Sequence, residues 1–327
     1  VSLSLAADGF GYWSLVYAVL AAQFVRMVVA VGWKRHPIAW PHELASIRSE
    51  LWFGGHVVVS RFALYIRRFA DIIIVGRLLG TDALGAYNVA WNQANIAVER
   101  VTPIVTRVSP PVLAAAQDDL PALQRYVRIF TEGIALIAFP TSVGLAIVAD
   151  DFVLLLFGEK WIETIGPLRA LAVAGATRSI TPILSQVLIA KGLAKKNMQF
   201  TVVGAIVIPV FLLVGSRWGL VGVACGWLIG HPLVMGPILL RHALIASGMK
   251  LRAYLSALRP ALIASIAMAG MVALTRASMP GEWSLGLRFA CEVGVGVLVY
   301  GIGIIPAYKS RFQNLISLLR AGRRGKR

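Results

Sequence analysis

The sequence is poor in charge, and in negative charge most of all. Only 14% of its 327 residues are charged, and 15 Asp and Glu stand against 32 Lys and Arg. Hydrophobic residues make up 58% of the chain, and the mean hydropathy is +0.75. These values exclude an ordinary soluble domain, whose surface needs more charged side chains. The composition therefore predicts a chain that lies in lipid.

Signatures of catalysis are also missing from the sequence. It contains no GxxxxGK[ST] loop, which excludes ATP hydrolysis by that machinery, and its five histidines form no HExxH motif. The two cysteines, Cys225 and Cys291, lie in apolar runs, where cysteine packs as a small hydrophobic side chain. We expect no enzymatic activity, no cofactor and no metal site.

Long apolar runs account for most of the chain. About nine runs approach the roughly 20 residues that a helix needs to cross a bilayer. They occupy residues 11–33, 51–79, 83–109, 124–148, 167–190, 199–216, 219–244, 257–276 and 286–307. The runs lack the period-two alternation of barrel strands, so each should satisfy its backbone hydrogen bonds internally as a helix. The predicted fold class is an all-α, polytopic transmembrane helix bundle.

Basic residues concentrate in alternate loops between the predicted spans. Those after the first, third, fifth and seventh runs are Lys34, Arg35, Arg48, Arg125, Arg128, Lys191, Lys195, Lys196, Arg241, Lys250, Arg252 and Arg259. By the positive-inside rule, these loops and the basic C-terminus face the cytoplasm. We expect the tail from Arg320 to Arg327 to contact anionic lipid head groups, and we expect no nucleic-acid partner.

Several charged residues lie inside the predicted spans. They include Arg26, Arg61, Arg67, Arg68, Asp71, Arg100, Arg107 and Arg178. A charge at mid-depth in lipid is costly, so these side chains should face protein or water. On a helical wheel Arg61 and Arg68 fall within roughly 20° of each other. Arg67 and Arg68 are both spaced along the helix to pair with Asp71.

The third predicted span carries a stripe of polar residues. Separated by three or four positions, they share one helical face: Asn88, Asn92, Asn95, Glu99, Thr102 and Thr106. Such a long stripe predicts the wall of a hydrated cavity. The alternative is that these groups only join helices through hydrogen bonds. Pro103, Pro140 and Pro182 are candidate bends, because proline removes a backbone donor.

Two further patterns concern packing. Gly222, Gly226 and Gly230 have small-xxx-small spacing, which predicts close contact between helices. The segment ADDFVLLLFGEKWIETIG between two spans is short and partly apolar, and we expect an amphipathic helix at the membrane interface.

Several motifs resemble those of one family of membrane proteins. In DIIIVGRLLGTDALGAYNVA and LLLFGEKW the residues that carry the pattern are Asp71, Gly76, Gly80, Leu84, Gly85, Tyr87, Phe157, Gly158 and Trp161. GFGYWSLV and SPPVLAAAQDD are similar to further segments of the same family. Over essentially its whole length the chain resembles bacterial O-antigen and exopolysaccharide repeat-unit flippases. These Wzx-like polysaccharide biosynthesis proteins belong to the multidrug/oligosaccharidyl-lipid/polysaccharide exporter superfamily.

The resemblance implies a fold of two helical lobes, of which this chain lacks part of the N-terminal one. Residues 1–45 would end the N-terminal lobe, 46–245 would form the C-terminal lobe core, 246–308 would add two helices, and 309–327 would be a basic cytoplasmic tail. The chain opens VSLSLAADGFGYW without an initiator Met, and we expect it to be truncated there.

The implied function is alternating-access transport of undecaprenyl-diphosphate-linked oligosaccharide repeat units across the bacterial inner membrane, for lipopolysaccharide or exopolysaccharide synthesis. Implied partners are this substrate, membrane lipids, and polysaccharide polymerase and assembly proteins. The expected cavity residues are Arg61, Arg67, Arg68, Asp71, Asn88, Asn92, Asn95, Glu99, Arg100 and Arg178. Guanidinium groups suit diphosphate oxygens and amides suit sugar hydroxyls, while Glu99 or Asp71 would hold an arginine or a coupling cation.

Three other functions stay open at this point. A multidrug or cation exporter of the same superfamily would need an acidic cavity, whereas the predicted spans hold more Arg than Asp and Glu. A membrane-embedded glycosyl or acyl transferase would act without a second compartment. A partner subunit would have no transport activity of its own.

Overall fold

The computed structural model describes residues 13–33, 48–280 and 283–324, and within them every regular element is a helix. The chain divides into two compact units, Val1–Val57 and Val58–Arg327. The helices of the described residues are α1 (Trp13–Trp33), α2 (Arg48–Leu78), α3 (Thr81–Ala115), α4 (Leu120–Ile147), α5 (Ala149–Leu156), α6 (Ile165–Arg178), α7 (Thr181–Ala190), α8 (Ala194–Gly215), α9 (Gly219–Ile229), α10 (Gly236–Ser247), α11 (Leu251–Ser278) and α12 (Leu285–Arg324). Tighter 3₁₀ turns cover Glu159–Thr164 and Ser216–Trp218, and one π-helical turn covers Gly230–Met235.

Five helical stretches of the described residues are long and apolar enough to cross a membrane. They are Leu120–Ile147, Glu159–Ala190, Ala194–Ser247, Leu251–Ser278 and Leu285–Pro306. The third stretch covers the two runs predicted over 199–216 and 219–244. The chain turns at Gly219, where φ is 69°, and α9 then packs against α8. These helices confirm the all-α polytopic membrane fold. The number of nine spans and the bounds of the four predicted segments stay predictions.

Helix ends follow from local chemistry. Asp119 caps α4, since its Oδ1 accepts a hydrogen bond of 3.0 Å from the backbone N–H of Ala122. Pro182 lies in the first turn of α7, where a missing N–H is tolerated, so the run predicted over 167–190 forms two helices, α6 and α7. Pro103 and Pro140 lie inside α3 and α4.

Helix α6 lies at the centre of the second unit and packs against α3, α4 and α9. Its sequence IGPLRALAVAGATR is rich in small residues, which lets neighbouring backbones come close. A Cβ atom placed on Gly175 would lie 3.3 Å from the carbonyl oxygen of Ala94 in α3. This close packing places the last residue of α6, Arg178, among the side chains of α3 and α9.

The glycines of α9 make the close helix contact that their spacing predicted. A Cβ atom on Gly222 would lie 2.0 Å from the carbonyl oxygen of Gly215 in α8, and one on Gly226 would lie 2.9 Å from that of Phe211. Neither position can hold a larger side chain without separating the two helices. The prediction of a packing role for these glycines is confirmed.

Helices α11 and α12 pack against each other, and α11 also packs against α4. A cluster of ion pairs joins this pair to α5. Arg276 of α11 lies 2.9 Å from Asp150, 3.5 Å from Asp151 and 3.7 Å from Glu292 of α12. Arg288 lies 3.4 Å from Asp151, and Arg169 pairs with Asp150.

The segment predicted to be an amphipathic interfacial helix is helical from Ala149 to Leu156 and then forms the first 3₁₀ turn. Its place in the membrane stays a prediction.

Candidate functional site

A cavity of about 560 Å³ lies between α2, α3, α6, α7, α9 and the π-helical turn. Three of its lining residues are Arg67, Arg68 and Arg178, and no Asp or Glu is among the described residues that line it. Most of the remaining wall is aromatic or aliphatic. The cavity is therefore cationic and largely apolar.

Arg178 lies against two neighbouring tryptophans. The central carbon of its guanidinium group is 4.4 Å from the ring centroid of Trp91 in α3 and 4.9 Å from that of Trp227 in α9. The two indole centroids are 5.2 Å apart. A planar guanidinium group on indole faces gains cation–π attraction, more so where water is scarce. Arg178 also ends α6, where the helix dipole favours a positive charge.

Asn95 fixes the direction of the same guanidinium group. Asn95 is buried, and its Nδ2 donates a hydrogen bond of 2.8 Å to the backbone oxygen of Trp91. Its Oδ1 is thereby left to accept a hydrogen bond from Nη2 of Arg178. The other terminal nitrogen of Arg178, Nη1, is buried and has no hydrogen-bond partner among the described residues. Arg178 is thus held in place with a donor to spare.

Asp71 belongs to the support of the cavity rather than to its wall. It is buried, and its carboxylate accepts hydrogen bonds from Tyr87 Oη at 3.2 Å and from the backbone N–H of Ile72 at 2.9 Å. No ion pair joins it to Arg67 or Arg68, all three being described residues, so the pairing that their spacing allowed does not form. The physical reason is that Asp71 faces the core beside Tyr87, whereas both arginines line the cavity.

The side chain of Arg67 packs against α8. Its guanidinium carbon is 5.9 Å from the ring centroid of Phe200. Gly204, one helical turn further along α8, leaves room for the arginine, because a Cβ atom there would lie 3.1 Å from Cδ of Arg67. Arg68 is exposed, and its guanidinium carbon is 5.9 Å from the ring of Phe69.

The polar stripe of α3 divides into parts. Asn95 binds Arg178, and the exposed Glu99 lies within electrostatic range of the same arginine. Asn88 and Asn92 are not among the residues that line the cavity. The side chains of Arg61, Arg100, Thr102 and Thr106 lie outside the part of the chain whose side chains the structure describes. The cavity-wall role of the whole stripe, and sugar contact by its amides, stay predictions.

The lining residues that the sequence did not mark as cavity residues include Trp91, Thr181, Trp227 and His231. His231 Nε2 lies 3.1 Å from Oγ1 of Thr181. The four residues come from four separate elements, so no local spacing reveals them. The one available signal was Trp91 four positions before Asn95, on the same helical face.

Comparisons with known proteins add independent information. A protein family described as "Polysaccharide biosynthesis protein" matches residues 1–166. The teichuronic acid biosynthesis protein TuaB of Bacillus subtilis is 30% identical over 294 residues, which cover 89% of this chain and 59% of that protein. The lipopolysaccharide biosynthesis protein WzxC of Escherichia coli is 30% identical over 67% of this chain and 46% of its own length.

A probable low-salt glycan biosynthesis flippase of Haloferax volcanii, Agl15, is 24% identical over 96% of this chain and 66% of its own length. The chain spans about half the length of the first curated relatives it matches. No solved structure shows significant similarity to it.

Proposed function

We propose that this chain, which belongs to the polysaccharide biosynthesis protein family, acts as a flippase for lipid-linked oligosaccharides. The proposed substrate is an oligosaccharide repeat unit joined through a diphosphate to undecaprenol. It would move to the outer leaflet of the inner membrane, with the C-terminus of the chain in the cytoplasm. Family membership confirms the resemblance carried by motifs such as LLLFGEKW.

One observation carries the proposal: a fixed arginine with an unused donor in a cationic, largely apolar cavity. Arg178 is held by Trp91, Trp227 and Asn95, while its Nη1 has no partner among the described residues. A diphosphate supplies several acceptor oxygens and about two negative charges, and guanidinium groups bind such oxygens strongly. Arg67 and Arg68 would be further ligands of the same group.

The names of the relatives support the substrate class. They concern the biosynthesis of teichuronic acid, of lipopolysaccharide and of a low-salt glycan, and one is named a probable flippase. Their common subject is the assembly of a glycan. We therefore propose that this chain transports a glycan precursor on a lipid carrier. Its further partners would be a polysaccharide polymerase and assembly proteins.

The lining bears on the two main alternatives. A drug or cation exporter needs negative groups in its cavity, and the described lining has arginines and no carboxylate. A glycosyl or acyl transferase needs a general base or nucleophile near its substrate. His231 and Thr181 are lining groups that could supply one, whereas the three arginines are suited to binding an anion. Product formation in detergent, with no second compartment, would be the evidence for a transferase.

The test is deletion of the gene in its host, followed by return of the complete gene or of variants. Loss of surface polymer with accumulation of lipid-linked repeat units is expected in the deletion strain, and the wild type should reverse both. Arg178→Ala should lower polymer by about ten- to hundredfold, the usual effect of losing a hydrogen bond to a charged group.

The matched control is Arg241→Ala. Arg241 is exposed on α10 and is not a lining residue, so its loss changes the net charge equally without touching the cavity. Polymer at the wild-type level in the deletion strain would overturn the flippase proposal. Full activity of Arg178→Ala at normal protein abundance would overturn the role of the arginine.

A further inference from the structure

His231 lies in the wall of the same cavity, and the proposed diphosphate binding does not yet use it. The residue is 3% exposed and belongs to the π-helical turn Gly230–Met235 between α9 and α10. π-helical turns inside helices are rare and often occur at functional sites, because they redirect side chains relative to the α-helical register. Here the π-helical turn places His231 in the same cavity wall as the arginines.

The hydrogen bonding of the imidazole leaves one ring nitrogen unused. Nε2 is 3.1 Å from Oγ1 of Thr181, whereas Nδ1 is buried and has no partner among the described residues. A threonine hydroxyl can either accept or donate a hydrogen bond. The contact with Thr181 therefore persists whether the imidazole carries one proton or two, and Nδ1–H can donate to a third group in both states.

Charged side chains on two neighbouring helices interact electrostatically with the imidazole. Arg67 of α2 and Arg178 of α6 both lie within electrostatic range of His231. Arg178 in turn interacts electrostatically with Asp71 of α2 and with Tyr87 and Glu99 of α3. Thr181 of α7, which meets the ring directly, carries no charge.

As long as no anion is bound, two neighbouring cations and burial both oppose a third positive charge in the cavity. A bound diphosphate changes the sign of this local field. Its negative charges offset the two guanidinium groups and favour an imidazolium ion next to them. Binding of the anion and protonation of the imidazole therefore stabilise each other, and this coupling is reciprocal.

We propose that His231 is a third ligand of the anion held by Arg67 and Arg178, and that it takes up a proton as the anion binds. The inference rests on the proposed function, since it concerns the same diphosphate site. It assigns to the imidazole a part in substrate binding that links occupancy of the cavity to a proton.

The test uses the purified full chain in lipid nanodiscs and isothermal titration calorimetry. The probe is farnesyl-diphosphoryl-N-acetylglucosamine, a diphosphate diester whose own two charges do not titrate near neutral pH. Titrations in buffers of different ionisation enthalpy give the number of protons bound per probe molecule. We expect net uptake approaching one proton near pH 6.5, and an affinity that rises on acidification by no more than about tenfold per pH unit, the limit for one linked proton.

Two variants separate this role from general effects. His231→Gln keeps a side-chain donor and acceptor but cannot titrate, so it should bind the probe without proton uptake and with an affinity independent of pH. His242→Gln is the matched control, because His242 lies on α10, bonded to the backbone oxygen of Ile238 and outside the cavity lining. It should take up protons as the wild type does.

The outcomes are distinguishable. Binding by the wild type without proton uptake, or uptake that persists in His231→Gln, overturns the inference and leaves the flippase proposal standing. No binding of the probe by the wild type overturns both. Should His231→Gln fail to fold, the wild type still tests the inference, because binding of the probe without proton uptake overturns it.

Discussion

At the residue scale, the cavity depends on how one guanidinium group is held. Arg178 meets indole faces on two helices and an amide oxygen on one of them. A planar cation can stack on the indole faces while an N–H at its edge bonds to the amide oxygen, whereas a lysine ammonium is a compact point charge with no plane to stack. The shape of the side chain, beyond its charge, should therefore matter for function.

Arg178→Lys tests this directly. We predict that it restores about tenfold less surface polymer than the wild type, because the ammonium cannot stack flat on the indoles of Trp91 and Trp227 and lacks the rigid planar array of donors that a guanidinium offers to a diphosphate. The measurement is polymer yield in the deletion strain at matched protein abundance, with Arg241→Lys as the control. Wild-type yield from Arg178→Lys would mean that charge alone is sufficient.

At the scale of helices, glycines determine how closely neighbouring backbones approach. In the contact between α8 and α9, a Cβ atom on Gly222 would collide with backbone atoms of Gly215, which cannot move independently of their helix. In α11, by contrast, a Cβ atom on Gly270 would meet nothing within 4 Å. The same change from glycine to alanine should therefore have opposite effects at the two positions.

Gly222→Ala is predicted to destabilise the protein by about 1–3 kcal/mol, the usual cost of overpacking. Gly270→Ala should be neutral or stabilising by up to about 1 kcal/mol, since alanine is the better helix former. Thermal unfolding of the purified variants in one detergent measures both. Equal unfolding temperatures for the two variants would contradict the close contact between α8 and α9.

Gly204 of α8 offers a second prediction at this scale. A methyl group there would lie 2.9 Å from Cε of Met235 and 3.1 Å from Cδ of Arg67. Gly204→Ala should therefore displace both side chains while changing stability little, because the ends of long side chains can move aside. We expect a several-fold weaker affinity for the farnesyl-diphosphoryl sugar by calorimetry. An unchanged affinity would remove Arg67 from the set of anion ligands.

At the scale of the whole molecule, the ion cluster holds the C-terminal helices α11 and α12 to α5. Arg276 approaches three carboxylates, and its partners Asp151 and Glu292 are 2% and 0% exposed. Removing Arg276 leaves the buried Glu292 with no ion pair among the described residues, whereas Arg288 and Arg169 still pair with Asp151 and Asp150. Losing one partner of a buried ion pair costs more than the pair contributes in net stability.

Arg276→Met should therefore lower stability by about 3–5 kcal/mol. Adding Glu292→Leu should recover part of that loss, because the second change removes a carboxylate left without its partner. Arg259→Met, on an exposed position of the same helix, is the control and should change little. If the double variant is no more stable than Arg276→Met, the two side chains are not coupled.

The extent to which the site was predictable depended on the kind of interaction. Arg67, Arg68 and Arg178 could be singled out from the sequence, because a charge within an apolar run needs a polar surrounding wherever the run lies. Asn95 could be singled out by its helical face. Trp91, Trp227 and His231 could not, because indole and imidazole side chains are ordinary in apolar helices and gain their role only from the neighbours that tertiary packing supplies.

The sequence by itself determined that the chain is an all-α membrane protein and to which family it belongs. These properties follow from composition, periodicity and short motifs, which act within one or two helical turns. Only the tertiary structure decided that Asp71 binds Tyr87 rather than an arginine, that Arg178 lies against two indoles, and that His231 lines the same cavity. The reason is that each of these contacts joins residues of different helices, and the small-residue packing around α6 sets which side chains meet.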